Sequence, residues 1–140
     1  MEDVKDNVFW FTIDGEKRLA TKNLVPGKQV YNEKFVLSKG TEYRTWDPFR
    51  SKLAASIMNN LEHFPFKEKS NVLYLGVSTG TTISHISDIV GPNGTIFGVE
   101  HSSRVARDFL DRVASVSYTH LSAHETLRYL VCRLLLEKKK

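Results

Sequence analysis

The stretch Val72-Leu73-Tyr74-Leu75-Gly76-Val77-Ser78-Thr79-Gly80-Thr81-Thr82 decides the fold, because an apolar run there leads into a glycine-containing loop. The run Val72–Leu75 is short, apolar and bounded by Gly76, which predicts a strand buried on both faces of a parallel sheet. Downstream of the loop, Thr81–Val90 repeats apolar residues on one side and closes at Gly91-Pro92, which predicts a helix. The stretch therefore indicates the first strand, loop and helix of a βαβ unit.

The pattern repeats once more after this helix. Thr95–Val99 is a second apolar run, ending at Glu100. Ser102 or Ser103 then caps a third helix, whose apolar positions recur at helical spacing. Strands that alternate with helices in this way predict an α/β fold with a parallel sheet.

Upstream of the loop, the sequence predicts an antiparallel β module over residues 1–43. Phe9–Ile13 alternates in the period of a half-buried strand, and Asp14-Gly15 is typical of a two-residue hairpin turn. Gln29–Leu37 is also strand-like. Asp47-Pro48 has the chemistry of a helix N-cap followed by proline at the first helical position, so we expect a helix from there to Pro65.

The character of the sequence changes after Ala114. Residues 115–140 should contain a turn and a third strand, but they are leucine-rich and basic, with the spacing of an amphipathic helix at Leu127, Leu130, Leu134 and Leu135. We therefore expect three regions: the β module (1–43), the first half of an α/β domain (44–114) and an unrelated tail (115–140). The α/β domain is expected to be truncated, and the 140-residue chain to be poorly stable and to have little or no catalytic activity of its own.

Composition limits the class of protein but not its function. The 140 residues, 41% hydrophobic and 26% charged, suit one globular domain. No apolar run is long enough to predict a membrane span. The acidic N-terminus has no apolar segment of the kind that predicts secretion. The single Cys132 excludes an internal disulfide and a multi-cysteine zinc site, which favours a reducing cytosol, and no metal is expected. The net charge of +4 owes most to residues 116–140, with five basic and two acidic residues, so it is weak evidence for a nucleic-acid partner.

The glycine loop carries the chemical signal. Its glycines permit close approach of a ligand, and Glu100 stands where the acidic residue of a dinucleotide-binding fold accepts hydrogen bonds from ribose hydroxyls. This pairing favours an adenosine-containing cofactor. Two alternatives remain: a plain turn, or the G-x-S-x-G elbow of an α/β-hydrolase with Ser78 as nucleophile. The hydrolase would need a later histidine, and the candidates are His101, His120 and His124.

Several strings together resemble the fibrillarin family, the box C/D guide-RNA-dependent RNA 2′-O-methyltransferases. The resemblance runs from about Asn7 to Ala114. Within the family, the sequence is most similar to the archaeal form. The strings that carry it are Glu42-Tyr43-Arg44-Thr45-Trp46-Asp47-Pro48-Phe49-Arg50-Ser51-Lys52-Leu53-Ala54-Ala55, Val72-Leu73-Tyr74-Leu75-Gly76, Gly80-Thr81-Thr82 and His85-Ile86-Ser87-Asp88-Ile89-Val90-Gly91.

The resemblance implies the first half of a Rossmann-like methyltransferase fold that uses S-adenosylmethionine. Thr81 and Thr82 would hold the methionine end of this cofactor. Glu100 would bind the ribose, and His101 would lie against the adenine. Lys52 matches the first lysine of a Lys-Asp-Lys-His catalytic set.

Further expectations concern the surroundings of this site. Arg44 and Arg50 are expected to flank its entrance and contact RNA phosphates. His85 is expected to face solvent on its helix rather than bind a ligand.

The resemblance also implies partners and a reaction. The reaction would be 2′-O-methylation in pre-rRNA and tRNA, at sites chosen by a box C/D guide RNA. A Nop-type scaffold protein and a kink-turn-binding protein of ribosomal type would assemble with the chain. The location would be the cytoplasm for an archaeal source and the nucleolus for a eukaryotic one. The alternative is a non-catalytic fragment that binds RNA or the scaffold.

Overall fold

The computed structural model of the chain describes residues 1–114, 122–126 and 129–135, and it confirms the α/β class. Nine strands and three helices lie within these residues. In chain order they are β1 (Glu2–Lys5), β2 (Val8–Ile13), β3 (Glu16–Lys22), β4 (Phe35–Ser38), β5 (Thr41–Trp46), α1 (Lys52–Met58), β6 (Asn71–Leu75), α2 (Thr81–Val90), β7 (Thr95–Glu100), α3 (Ser103–Ala114), β8 (Ser122–Thr126) and β9 (Tyr129–Leu135).

The first five strands form one antiparallel sheet in the order β1-β2-β3-β5-β4. The predicted hairpin is confirmed, since β2 pairs with β3 in register from Val8↔Thr21 to Ile13↔Glu16 around Asp14-Gly15. Both turn residues have positive φ, 53° and 81°, as such a turn requires. The boundary expected between residues 43 and 44 stays a prediction, and β5 continues through it to Trp46.

The second sheet has the order β6-β7-β9-β8. Strands β6 and β7 are parallel, paired from Asn71↔Thr95 to Leu75↔Val99, and α2 connects them as the predicted βαβ unit. Strand β9 pairs with β7 in the antiparallel direction. The amphipathic helix predicted for the leucine-rich segment is therefore wrong over Tyr129–Leu135. Leucine spacing alone does not separate a helix from a short apolar strand; Leu127 lies outside the described residues.

Helix α1 begins later and ends earlier than predicted. Asp47 does not cap it, because its Oδ1 accepts a hydrogen bond from the Phe49 N–H in a tight turn (2.9 Å). The cap is Ser51, whose hydroxyl accepts from the Ala54 N–H (3.3 Å). The helix stops at Met58, well before Pro65.

Helix α2 lies between the two sheets and is buried on nearly every side. Ile83, Ile86 and Val90 pack into a cluster with Ile96 of β7 and Phe109 of α3. Ile89 packs on the other side with Val8, Leu19 and Trp46 of the first sheet. Helix α2 thus packs against both sheets. Its polar residues are therefore buried between them as well.

One face of the second sheet is exposed. The side chains of Leu73 and Leu75 are 66% and 72% exposed, whereas Val72 and Tyr74 of the same strand pack against the α2 cluster. The expectation that β6 is buried on both faces is therefore wrong for the described structure. None of the helices in the described part of the chain is long and apolar enough to cross a membrane.

Candidate functional site

The loop between β6 and α2 lies at the carboxyl end of the parallel strands. Gly76, Ser78 and Gly80 have φ of 79°, 54° and 96°, so the backbone turns sharply three times within five residues. The Gly76 N–H donates to the Val99 carbonyl (2.8 Å), which holds the loop against the end of β7. Gly80 is the N-cap of α2. In open α/β sheets this edge is where ligands bind.

Glu100, at the end of β7, organises the loop. Its Oε2 accepts a hydrogen bond from the Ser78 N–H (2.8 Å) and its Oε1 accepts one from the Ser102 N–H (2.9 Å). These donors, Ser102 first, hold the pKa of Glu100 below its usual value of 4.5, so the carboxylate is charged at neutral pH. A carboxylate has about four acceptor positions. The backbone N–H groups of Ser78, Ser102 and His101 all stabilise the charged form, so Glu100 keeps capacity to accept at least one hydrogen bond from a ligand hydroxyl.

Thr81 and Thr82 begin α2 directly after the loop. Their N–H groups belong to the first helical turn, where no earlier carbonyl of the helix can accept from them. Thr81 is buried, and the half-buried Thr82 donates its hydroxyl hydrogen to Ser51 Oγ (2.9 Å). The hydroxyl of Thr82 is thus already engaged in the protein, and the backbone N–H groups are what this end of α2 presents to a ligand.

The Thr82–Ser51 hydrogen bond brings the predicted catalytic lysine to the same place. Lys52 is the first residue of α1, is exposed, and directly follows Ser51. His101 directly follows Glu100 and is exposed as well. The loop, Glu100, His101, the start of α2 and Lys52 therefore share one edge of the molecule.

Arg44 does not belong to this edge, and the expectation that it contacts RNA is wrong. Its side chain is 2% exposed. The guanidinium donates from Nη1 to Glu33 (2.6 Å) and from Nε and Nη2 to Asp88 (3.0 and 2.9 Å). Burial alone would lower the pKa of Arg44, but the two carboxylates outweigh it and raise the pKa above the usual value. Arg44 is a buried cation that joins the first sheet to α2.

His85 is also buried, so the expectation that it faces solvent is wrong. Its ring is fully enclosed and stacks on Trp46, with centroids 4.8 Å apart. Burial, with a contribution from Arg44, holds the pKa of His85 well below 6.5, so the ring is neutral. Because Thr21 donates its hydroxyl hydrogen to Asp88 (2.7 Å), we assign Nδ1–H as donor to Thr21 Oγ1 (2.7 Å). The Tyr31 hydroxyl lies 2.7 Å from Nε2 and donates its hydrogen to the Thr45 carbonyl (2.9 Å).

This buried cluster of Thr21, Tyr31, Glu33, Arg44, His85 and Asp88 was missed by the sequence analysis. Its partners are separated by up to 67 residues in the chain, so no local pattern reveals it. The one available signal was the presence of His85 and Asp88 in a helix with apolar residues on either side of them.

The hydrolase alternative finds no support at Ser78. A nucleophilic serine needs a histidine as general base beside its hydroxyl. The contact found at Ser78 is instead a hydrogen bond from its backbone N–H to the Glu100 carboxylate. Of the later histidines, His101 directly follows Glu100, and His120 lies outside the described residues. His124 is described only as part of β8.

Together, the parallel strands, the glycine loop, the N-terminus of α2 and an acid at the end of the next strand define a Rossmann-like α/β protein. The family model for fibrillarin matches residues 1–117, and the chain belongs to the fibrillarin family. A fibrillarin-like rRNA/tRNA 2′-O-methyltransferase of Thermococcus onnurineus is 59% identical over 97 residues, 69% of this chain and 43% of the relative. One from Pyrobaculum aerophilum is 56% identical over 100 residues, 71% of this chain and 43% of the relative.

Solved structures agree with this assignment. Aeropyrum pernix fibrillarin with natively bound S-adenosyl-L-methionine superposes with a TM-score of 0.75 at 49% identity, covering 79% of this chain and 48% of that one. A fibrillarin/Nop5p complex gives a TM-score of 0.62 at 38% identity, covering 78% and 46%. The chain thus spans less than half the length of these relatives.

Proposed function

We propose that this protein takes part in the S-adenosylmethionine-dependent 2′-O-methylation of ribose in rRNA and tRNA, directed by a box C/D guide RNA. The observation that carries the proposal is the Glu100 carboxylate, which holds the glycine loop and still has free acceptor capacity beside the α2 N-terminus. The names of the relatives and the cofactor in the A. pernix structure support it.

The cofactor's chemistry matches the groups at this edge. S-adenosylmethionine supplies an activated methyl group when it is bound. Glu100 would accept hydrogen bonds from its ribose hydroxyls, and the first N–H groups of α2 would bind its carboxylate, as helix N-termini bind anions. The exposed ring of His101 would lie against the adenine.

Lys52 would act on the substrate rather than on the cofactor. A ribose 2′-hydroxyl is a poor nucleophile, and its oxygen becomes more negative as its proton leaves. A fixed ammonium group beside this oxygen stabilises the developing charge. The Ser51–Thr82 hydrogen bond fixes the start of α1, and so the position of Lys52, relative to the loop.

The proposed assembly follows the family. The fibrillarin/Nop5p complex supports a Nop-type scaffold as partner, and we extend the proposal to the guide RNA, the target RNA and a kink-turn-binding protein. The cytoplasm of an archaeal cell, or the nucleolus of a eukaryotic one, is the location that this assembly would require.

Calorimetric titration with S-adenosylmethionine tests the cofactor site. Glu100→Ala should weaken binding by about 1.5–3 kcal/mol, the scale of hydrogen bonds to a charged group. Glu62→Ala, at an exposed carboxylate of the α1–β6 connection, is the matched control and should bind as the unchanged chain does. An equal dissociation constant for Glu100→Ala and the unchanged chain would refute the assignment.

Methyl incorporation into a guided target RNA tests the reaction itself. With scaffold, guide RNA and labelled S-adenosylmethionine, the 140-residue chain should transfer little or no methyl group. A chain completed to the length of its relatives should transfer it, and Lys52→Met in that chain should sharply reduce transfer while cofactor binding is kept. Cofactor binding without any transfer by the completed chain would instead favour the non-catalytic alternative.

A further inference from the structure

Phe49 is the most exposed large apolar side chain in the described part of the molecule. Its side chain is 97% exposed, in the turn between β5 and α1. An aromatic ring left fully in water gains nothing for folding, and single exposed apolar side chains are common on protein surfaces. The case for a role therefore rests on the turn that holds Phe49 and on the charges beside it.

The turn that carries Phe49 is held in place on both sides. The Phe49 N–H donates to Asp47 Oδ1 (2.9 Å), and the Arg50 N–H donates to the Asp47 carbonyl (3.2 Å). The Arg50 guanidinium lies over the ring of the buried Tyr31, 5.6 Å from its centroid. The backbone therefore presents the Phe49 ring from a fixed position, which lowers the entropic cost of binding through it.

The turn also lies beside the candidate site. Ser51, two residues after Phe49, accepts the hydroxyl hydrogen of Thr82 at the start of α2. Phe49 and Lys52 thus stand on either side of the residue that ties α1 to the glycine loop.

The groove next to Phe49 is suited to a polyanion. Its volume is about 780 Å³, and its lining includes four cations, Lys17, Arg18, Lys34 and Arg50. Its three carboxylates are already used within the protein: Glu16 pairs with Arg18, Glu33 with Arg44, and Asp47 caps the Phe49 turn. Arg18 is itself paired with Glu16, and Lys17 lies 4.0 Å from Glu2. Lys34 and Arg50 are therefore the cations that the groove offers beside the exposed aromatic ring.

We propose that Phe49 is a stacking platform for an unpaired RNA base close to the methylated ribose, with Arg50 and Lys34 against the adjoining phosphates. The inference rests on the proposed action on RNA. Stacking suits such an enzyme because every base has a π face, so a ring holds any base that a guide selects. Hydrogen-bonding readout would restrict the target sequence, whereas stacking does not.

Binding of single-stranded RNA to the 140-residue chain without cofactor tests the proposal. Fluorescence anisotropy is measured with labelled U12 and A12, and 2-aminopurine placed in a mixed 12-mer reports base stacking by its quenching. Phe49→Ala should weaken binding of both oligomers about 5- to 150-fold, the effect of losing one base–aromatic stack. It should also relieve the quenching, whereas Phe49→Trp should retain both.

A control variant and the absence of cofactor make the outcome decisive. Leu37→Ala removes another exposed apolar side chain, on β4, and should bind RNA unchanged. RNA binding is measured without cofactor, so failure of the cofactor site and failure of this inference are distinguishable. Undetectable RNA binding, or equal binding by Phe49→Ala and the unchanged chain, would overturn the proposal. Loss of scaffold binding by Phe49→Ala with RNA binding intact would assign the ring to a protein interface.

Discussion

Two polar clusters contact helix α2, and they differ in how much hydrogen-bonding capacity remains for a ligand. The buried cluster around His85 and Asp88 is closed: Asp88 receives hydrogen bonds from Thr21, Leu24 and Arg44, and each ring nitrogen of His85 lies 2.7 Å from a hydroxyl oxygen. At the N-terminus of the same helix, Glu100 and the first N–H groups keep unused capacity beside solvent. The difference separates residues that hold the two sheets together from residues that can bind a ligand.

Removing the cation of the closed cluster should have the largest effect. Arg44→Met leaves the carboxylates of Glu33 and Asp88 buried without their partner, which should lower the free energy of unfolding by about 3–5 kcal/mol. Urea unfolding followed by circular dichroism measures it. Arg18→Met breaks only the exposed pair with Glu16 and should cost at most about 1 kcal/mol. Similar losses in the two variants would mean that the cluster does not join the sheets.

The second largest effect is expected from acidification, which should lower the free energy of unfolding through His85 in the buried cluster. The pKa of His85 is lowered in the folded chain, so the unfolded chain binds a proton below about pH 6.5 while the folded chain does not. The free energy of unfolding should therefore be retained above this pH and fall below it, by up to about 1.4 kcal/mol per pH unit. Urea midpoints at pH 7.5, 6.5 and 5.5 measure the slope.

Variants assign that slope to one residue. His85→Gln should flatten it, whereas His63→Gln, at an exposed histidine, should leave it unchanged. A slope that survives in His85→Gln would place the titrating group elsewhere.

The smallest effect is expected at Ser78, in the open cluster. Glu100 is bound by the Ser78 backbone N–H and not by its hydroxyl, so Ser78→Ala should change cofactor affinity by less than about 0.5 kcal/mol. The unchanged chain should not react with a fluorophosphonate probe. Stoichiometric labelling at Ser78 would instead show an activated serine and restore the hydrolase alternative.

Features set by neighbouring residues in the chain could be predicted from the sequence, whereas features set by distant contacts could not. Strands β6 and β7 and helix α2 were predicted almost to the residue, because an apolar run, a glycine turn and a helical repeat are local signals. The resemblance placed Lys52, Thr81, Thr82, Glu100 and His101 as candidates, and the structure gathers them at one edge, where their roles stay predictions.

The errors fall where partners are distant in the chain. Arg44 was expected to flank the entrance of the site and contact RNA phosphates, and His85 was expected to face solvent. Their burial follows from a contact between the first sheet and α2, which only the tertiary structure shows. The start of α1 was misplaced for a local reason. Asp47 and Ser51 are both favourable N-cap residues, but the Asp47 side chain accepts a hydrogen bond from the Phe49 N–H, and Ser51 caps the helix.

Amide chemical shifts of ¹⁵N-labelled chain, recorded during titration with S-adenosylmethionine, test most directly the claim that α2 is open at its N-terminus and closed along its side. Saturable changes are expected at residues 76–82 and at Glu100 and His101, with Thr21, Tyr31, Arg44 and Asp88 unmoved. The absence of changes around the loop, or changes centred on the buried cluster, would contradict it.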